Sequence, residues 1–248
     1  MYVGSQGRGL LVDAGLPGRE IARRLSAAGV GPESVEGVVV THEHRDHISG
    51  VGVWARRFRV PVYADPVTWD AAVKALPAGA LRGVEVIPFE PGRTFEAAGL
   101  ELLPITTSHD AAGSVGFRIR DGACALGFVT DLGYASGLVR EALKGAEILF
   151  LESNHDEEML VRGPYPWPLK QRIRSRQGHL SNADCAALVA ELVHGKLRTL
   201  VLGHLSQTNN TPRLAYEAAQ GALKSRGAEE DVVLLVARQD VPGRLVAA

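Results

Sequence analysis

The chain has 248 residues, enough to bury one large core or two small ones. It is 46% hydrophobic and 22% charged, ordinary values for a globular protein, and no apolar run approaches the roughly 18 residues of a membrane-spanning helix. A net charge of −1 supplies no global field to gather nucleic acid. The opening residues lack a basic start, a long apolar stretch and a small-residue cleavage site, so no membrane partner is expected.

In chain order, residues 10–13 read as a strand running into the turn Ala14-Gly15-Leu16-Pro17-Gly18. Residues 19–28 have helical spacing at Ile21, Leu25 and Ala28, and stop at Gly29. Val38-Val39-Val40 is a buried strand, followed by Thr41 and a dense His/Asp cluster. A helix over 49–58, a strand over 60–63 and a helix over 66–76 come next. The pattern then turns to β, with runs at 84–87, 100–106, 115–120 and 124–130 split by Gly-rich turns. A helix over 135–143 and a strand over 147–151 restore the β/α alternation. Residues 160–178, with three prolines and little apolar periodicity, read as a long loop. Ser181 is expected to cap a helix running to His194, with Asp184 at its third position. A strand over 197–203 ends at His204, and a helix over 212–224 and a strand over 231–236 close the chain.

No repeat, low-complexity tract or linker interrupts this order, so one domain over 1–248 is expected. Two β/α halves around β-rich sequence suit two sheets packed together with helices outside. The two cysteines, Cys124 and Cys185, sit in apolar surroundings without metal-type spacing, which fits a reducing cytoplasm.

The strongest chemical signal is Thr41-His42-Glu43-His44-Arg45-Asp46-His47, directly after the buried strand. His42 and His44 are two apart, so extended backbone points both imidazoles the same way. Asp46 and His47 follow as the chain turns into the next helix. Four potential ligands in six residues, including three of the eight histidines, favour a metal such as zinc. One ion usually takes three or four protein ligands, so the cluster invites two.

His-x-His-x-Asp-His after a strand resembles the second motif of the metallo-β-lactamase superfamily, and further motifs follow in the family's order. Asp13 in Val12-Asp13-Ala14-Gly15 is similar to the first, whose aspartate supports the metal loop. His109, Asp131 and His204 are similar to the third, fourth and fifth. The resemblance implies an α/β chain in a four-layer αββα sandwich of two mixed sheets with outer helices. It implies two divalent ions, zinc foremost with manganese or iron also admitted. His42, His44 and His109 would hold one ion, and Asp46, His47 and His204 the other, with Asp131 bridging. A metal-bridging hydroxide would be the nucleophile, which places Asp46 among the catalytic residues as well. Members usually begin with a Gly/Ser-rich strand, whereas Met1-Tyr2-Val3-Gly4 falls inside the first hairpin; an edge strand is expected to be absent or to lie upstream.

The second half resembles the YycJ/WalJ exonuclease subfamily in Leu151-Glu152-Ser153-Asn154-His155-Asp156, Gly163-Pro164-Tyr165-Pro166, Gly178-His179-Leu180-Ser181-Asn182 and His204-Leu205-Ser206-Gln207-Thr208-Asn209-Asn210. The implied activity is a metal-dependent phosphodiesterase, a 5′-to-3′ exonuclease on single-stranded or end-bearing DNA. His179 precedes a capped helix N-terminus, where N–H groups and the dipole favour a phosphate. It is the candidate to protonate the leaving oxygen, with Glu152 or His155 orienting it. Between Glu158 and Asp184 there is no acidic residue, yet Arg162, Lys170, Arg172, Arg174 and Arg176 fall there. With Tyr165 and Trp167 they could track a strand's backbone and stack a base. Arg172, Arg174 and Arg176 would share one face of an extended segment. Ser181 and Asn210, with Asn209, are further candidates for substrate contact.

Two other readings use the same residues. A small-molecule metallo-hydrolase (thioesterase, lactonase or cyclic phosphodiesterase) would show a closed apolar pocket in place of an open positive groove. A silent metal-binding scaffold would be expected to have lost ligands. A homodimer is compatible with the sequence.

Overall fold

The computed structural model describes residues 1–122 and 124–247. The chain divides into two compact units, residues 1–104 with 111–115, and 105–110 with 116–248. None of the described helices is long and apolar enough to cross a membrane.

In the first unit a hairpin pairs β1 (Tyr2–Ser5) with β2 (Arg8–Val12). Its two turn residues, Gln6 and Gly7, both have positive φ (50° and 80°), which matches the right-handed twist of the strands they join. Strands β3 (Val35–Val39), β4 (Val62–Ala64) and β5 (Val86–Pro88) extend the sheet in the order β1-β2-β3-β4-β5, parallel from β2 onward. Helix α1 (Gly18–Ala27) buries Ile21 and Leu25 and stops before Gly29, whose φ of 78° only glycine adopts cheaply. The predicted helix over 49–58 is α3 (Val51–Phe58), and a separate short helix α2 (Arg45–Ile48), not expected from the sequence, precedes it. Gly50 separates them: its N–H donates to the Ala14 carbonyl at 2.7 Å, and a Cβ there would meet the Leu16 carbonyl oxygen at 2.0 Å. Asp46 and His47 therefore lie inside a helical turn. Helix α4 (Pro66–Ala75) starts at a cap where Asp65 accepts from the Thr68 N–H. Trp54 of α3 is fully buried among Val38, Val51 and Val62, and its truncation would cost about 3–5 kcal/mol.

Seven strands form the other sheet in the order β12-β11-β10-β9-β8-β7-β6. They are β6 (Phe95–Ala97), β7 (Leu100–Thr106), β8 (Val115–Asp121), β9 (Cys124–Val129), β10 (Ile148–Glu152), β11 (Thr199–Gly203) and β12 (Val233–Val236). β8 and β9 are antiparallel, whereas β9 to β12 run parallel. Central strands of such a sheet read as continuous apolar runs, as Leu149 and Leu151 on β10 and Leu200 and Leu202 on β11 do; all four are buried. Both sheets mix strand directions and carry helices in their crossovers, as the α/β expectation required. Helix α8 (Asn182–Leu192) packs on α9 (Pro212–Ser225), where Ala215, Ala219 and Ala222 permit close approach. Helix α5 (Gly137–Leu143) follows β9 and buries Val139 and Leu143.

The predicted loop over 160–178 is largely helical: α6 (Glu157–Arg162) and α7 (Trp167–Ile173) occupy it. Asp156 caps α6 by accepting from the Met159 N–H at 2.8 Å. Pro168 lies in the first turn of α7, where its missing N–H costs nothing. Lys170 is buried, and its Nζ donates to the carbonyls of Val161 (2.7 Å) and Gly163 (2.8 Å) at the end of α6.

Candidate active site

In the first unit the chemistry follows the ends of two parallel strands, β2 into Asp13 and β3 into Thr41 and His42. Asp13 has a φ of 61°, a left-handed conformation rarely held without a compensating role. Its Oδ1 accepts from the Thr41 N–H at 2.8 Å, and its Oδ2 from Thr41 Oγ1 at 2.8 Å and from His47 Nδ1 at 2.7 Å. The Thr41 hydroxyl proton is thus committed to a carboxylate that can only accept. Its contact with His42 Nδ1 at 3.0 Å must then receive a proton from the ring. One aspartate so assigns the tautomers of two imidazoles, and both keep the Nε2 lone pair for a metal. The His42 ring centroid lies 4.6 Å from that of His44 and 4.1 Å from that of His47. The Asp46 side chain is 71% exposed, with Oδ2 3.6 Å from His47 Nε2. Gly15 lets this turn close on α2, since a Cβ there would meet the Asp46 carbonyl oxygen at 1.5 Å.

In the second unit the carboxyl ends of β9, β10 and β11 deliver Asp131, Glu152 and His204. Asp131 and His204 also hold positive φ, 56° and 55°, so three of the six described non-glycine residues in that region are predicted site residues. Glu152 is fully buried and receives four hydrogen bonds. Its Oε1 accepts from His179 Nδ1 at 2.8 Å and His204 Nδ1 at 2.7 Å; its Oε2 accepts from the N–H groups of Leu132 (3.0 Å) and Leu180 (3.2 Å). Burial alone would push this carboxyl up, but the two imidazoles outweigh it and hold it well below the ordinary range. His179 shows the converse: burial pulls it down, Glu152 pulls it up, and the net shift is upward. His109 Nδ1 donates to the Gly178 carbonyl at 3.1 Å, and burial depresses its pKa.

These donors fit divalent cations. Imidazole Nε2 and carboxylate oxygens stand 3.4 Å apart in His109–Asp110, 3.5 Å in His204–Asp131, 3.6 Å in His47–Asp46 and 3.7 Å in His109–Asp131. Two ligands at about 2.1 Å from one tetrahedral ion would lie roughly 3.4 Å apart. Most of these separations are too long for a hydrogen bond and close to that spacing.

The remaining candidates fall elsewhere. Of the two residues considered for orienting His179, Glu152 touches it. His155 is buried, its Nδ1 has no hydrogen-bond partner among the described residues, and its carbonyl accepts from the Asn182 N–H at 2.8 Å. Ser181 is buried and caps α8, its Oγ bonded to Asp184 at the backbone (3.0 Å) and Oδ2 (2.7 Å). The N–H groups of Asn182 and Asp184 are therefore bonded within the protein, to the His155 carbonyl and Ser181 Oγ. Asn210 is buried in a reciprocal amide pair with Asn182, at 2.9 Å in each direction. Arg172 lies on α7 and pairs with Asp110, and Arg174 follows the helix in αR conformation. The extended segment that would put Arg172, Arg174 and Arg176 on one face is absent, because helix formation turns successive side chains by about 100°. Trp167 is 55% exposed and Tyr165 half-buried. Thr41 and Gly15, quoted in the motifs without a role of their own, shape the site through the Asp13 hydrogen bonds and the close approach of α2.

The chain belongs to the metallo-β-lactamase superfamily: residues 8–205 match the Beta-lactamase superfamily domain. It is 37% identical over 227 residues to exodeoxyribonuclease YycJ of Bacillus anthracis, spanning 92% of this chain and 85% of that protein. It is 36% identical over 215 residues to exodeoxyribonuclease WalJ of Streptococcus pneumoniae, spanning 87% of this chain and 80% of that protein. Among solved structures, the metallo-β-lactamase fold protein YhfI from Bacillus subtilis superposes with a TM-score of 0.71 at 19% identity, over 96% of this chain and 87% of that one. Zn(2+)-bound PqqB from Methylobacterium extorquens gives 0.69 at 20% identity, over 96% and 82%.

Proposed function

We propose that the chain is a divalent-metal-dependent nuclease, a 5′-to-3′ exonuclease that hydrolyses DNA phosphodiesters in the cytoplasm. The observation that carries this reading is the Glu152 carboxylate holding His179 and His204 together beside Asp131. The similarity to proteins named exodeoxyribonucleases supports the choice of substrate.

The family's ligand pattern, carried onto this chain, gives His42, His44 and His109 to one ion. Asp46, His47 and His204 would hold the other, with Asp131 common to both sets. Zinc suits the imidazole-rich set, and the carboxylates admit manganese or iron. When bound, such ions supply Lewis acidity and bring the pKa of water from about 15.7 to near 7. The rest is the work of the chain's own groups. Asp13 keeps His42 and His47 in the ligating tautomer, and Glu152 does so for His204. With Nδ1 given to Glu152 and its pKa raised, His179 carries its second proton on Nε2 and delivers it to the departing oxygen.

His179→Ala then lowers kcat by about 10²–10⁴-fold while metal content stays at two ions per chain. Unchanged kcat would remove His179 from the mechanism. Products released from a 3′-labelled strand should shorten from the 5′ end; shortening from the 3′ end would reverse the polarity.

A further inference from the structure

We infer that Arg176, backed by the Tyr134 ring, grips a phosphate of the bound strand next to the one being cleaved; the inference rests on the nuclease reading. The guanidinium carbon of Arg176 stands 3.9 Å from the centroid of the Tyr134 ring. Three of the other four basic side chains of 162–176 are committed within the protein, Arg174 being exposed. Arg162 pairs with Glu158, Lys170 with two carbonyls and Arg172 with Asp110. Arg176 is exposed, and a guanidinium lying over an aromatic ring still has an N–H fork with which to meet a phosphate in the bidentate manner. The ring orders a long side chain in advance, so less freedom is lost when an anion arrives.

The backbone places this pair beside the reacting groups. Ser108 Oγ donates to the Arg176 carbonyl at 2.7 Å, and Gly133 N–H to the Ser108 carbonyl at 2.8 Å. A Cβ on Gly133 would meet the Arg176 carbonyl carbon at 2.4 Å, so only glycine permits this approach. Two residues beyond Arg176, the Gly178 carbonyl holds His109. Arg176 and Tyr134 thus ride on the segments that carry His109, Asp131 and His179. A metal centre with one diester in it needs no such group; a strand, with a phosphate on each nucleotide, does.

The test is anisotropy binding of a 5′-phosphorylated single-stranded oligonucleotide to metal-loaded protein across a salt series, with steady-state cleavage of the same strand. Arg176→Gln should raise Kd and KM about tenfold, with the effect falling on KM rather than kcat. It should also flatten the log Kd against log salt slope by about 0.7, one phosphate contact on a single strand. Arg176→Lys should keep the slope but not the full affinity. Tyr134→Leu should weaken binding, and Tyr134→Phe should restore it. Equal Kd and equal slope in wild type and Arg176→Gln overturn the inference while the strand is still cleaved. A wild type that neither binds nor cleaves the strand overturns the nuclease reading and this inference with it.

Discussion

Oε1 of the buried Glu152 lies 2.8 Å from Nδ1 of His179, and the same oxygen accepts from His204 Nδ1 at 2.7 Å. Four donors converge on this carboxylate, two side-chain and two backbone. A glutamine of the same length offers one acceptor oxygen, and its NH₂ would face donors. Glu152→Gln should therefore lower kcat by about a hundredfold or more and also weaken metal binding through His204. Zinc titration calorimetry beside steady-state kinetics checks both. Loss of activity with metal affinity unchanged would mean that His204 does not depend on Glu152.

Asp13 does for the first unit what Glu152 does for the second. Asp13→Ala removes the acceptor of Thr41 and His47 at once and should reduce metal affinity by about 10–100-fold. The variant loses a left-handed aspartate as well, so chelator competition, which reads affinity directly, is preferable to a stability measurement. Affinity equal to wild type would show that Asp13 merely shapes the turn.

Burial holds the His155 imidazole below its ordinary 6.5, against the opposing pull of the Glu152 charge. Below pH 6.5 the unfolded chain takes the proton first. The stability this group contributes is complete above 6.5 and lost as the pH falls toward its folded pKa. His109 is depressed by burial with the same sign, whereas the raised His179 acts oppositely. Urea midpoints between pH 7.5 and 5 should fall less steeply in His155→Gln than in wild type. Identical slopes would place His155 outside the acid sensitivity.

Lys170 predicts a purely structural effect. Lys170→Met leaves the Val161 and Gly163 carbonyls without their donor and should cost about 1–3 kcal/mol, read as a shift in the urea midpoint. Its zinc affinity should match wild type; a change there would tie the α6–α7 segment to the metal ligands.

Much of this was legible in the sequence because local rules governed it. The strand over 100–106 and the Ser181 cap stand as expected, and the His-x-His-x-Asp-His run points to metal chemistry through its spacing. Residues 160–178 misled because three prolines mimic a loop, while Pro168 sits where a helix tolerates it and a lysine replaces the usual apolar stripe. The double attachment of Glu152 joins residues 27 and 52 positions apart, which no periodicity records.

The central claim is tested most directly by incubating 5′-labelled single-stranded and duplex DNA with protein reconstituted with zinc, manganese or iron, beside the Asp46→Ala, His47→Ala double variant. Metal-dependent loss of nucleotides that disappears in the variant and on chelation is the predicted result. Intact DNA with all three metals, in protein shown to hold two ions, would contradict it.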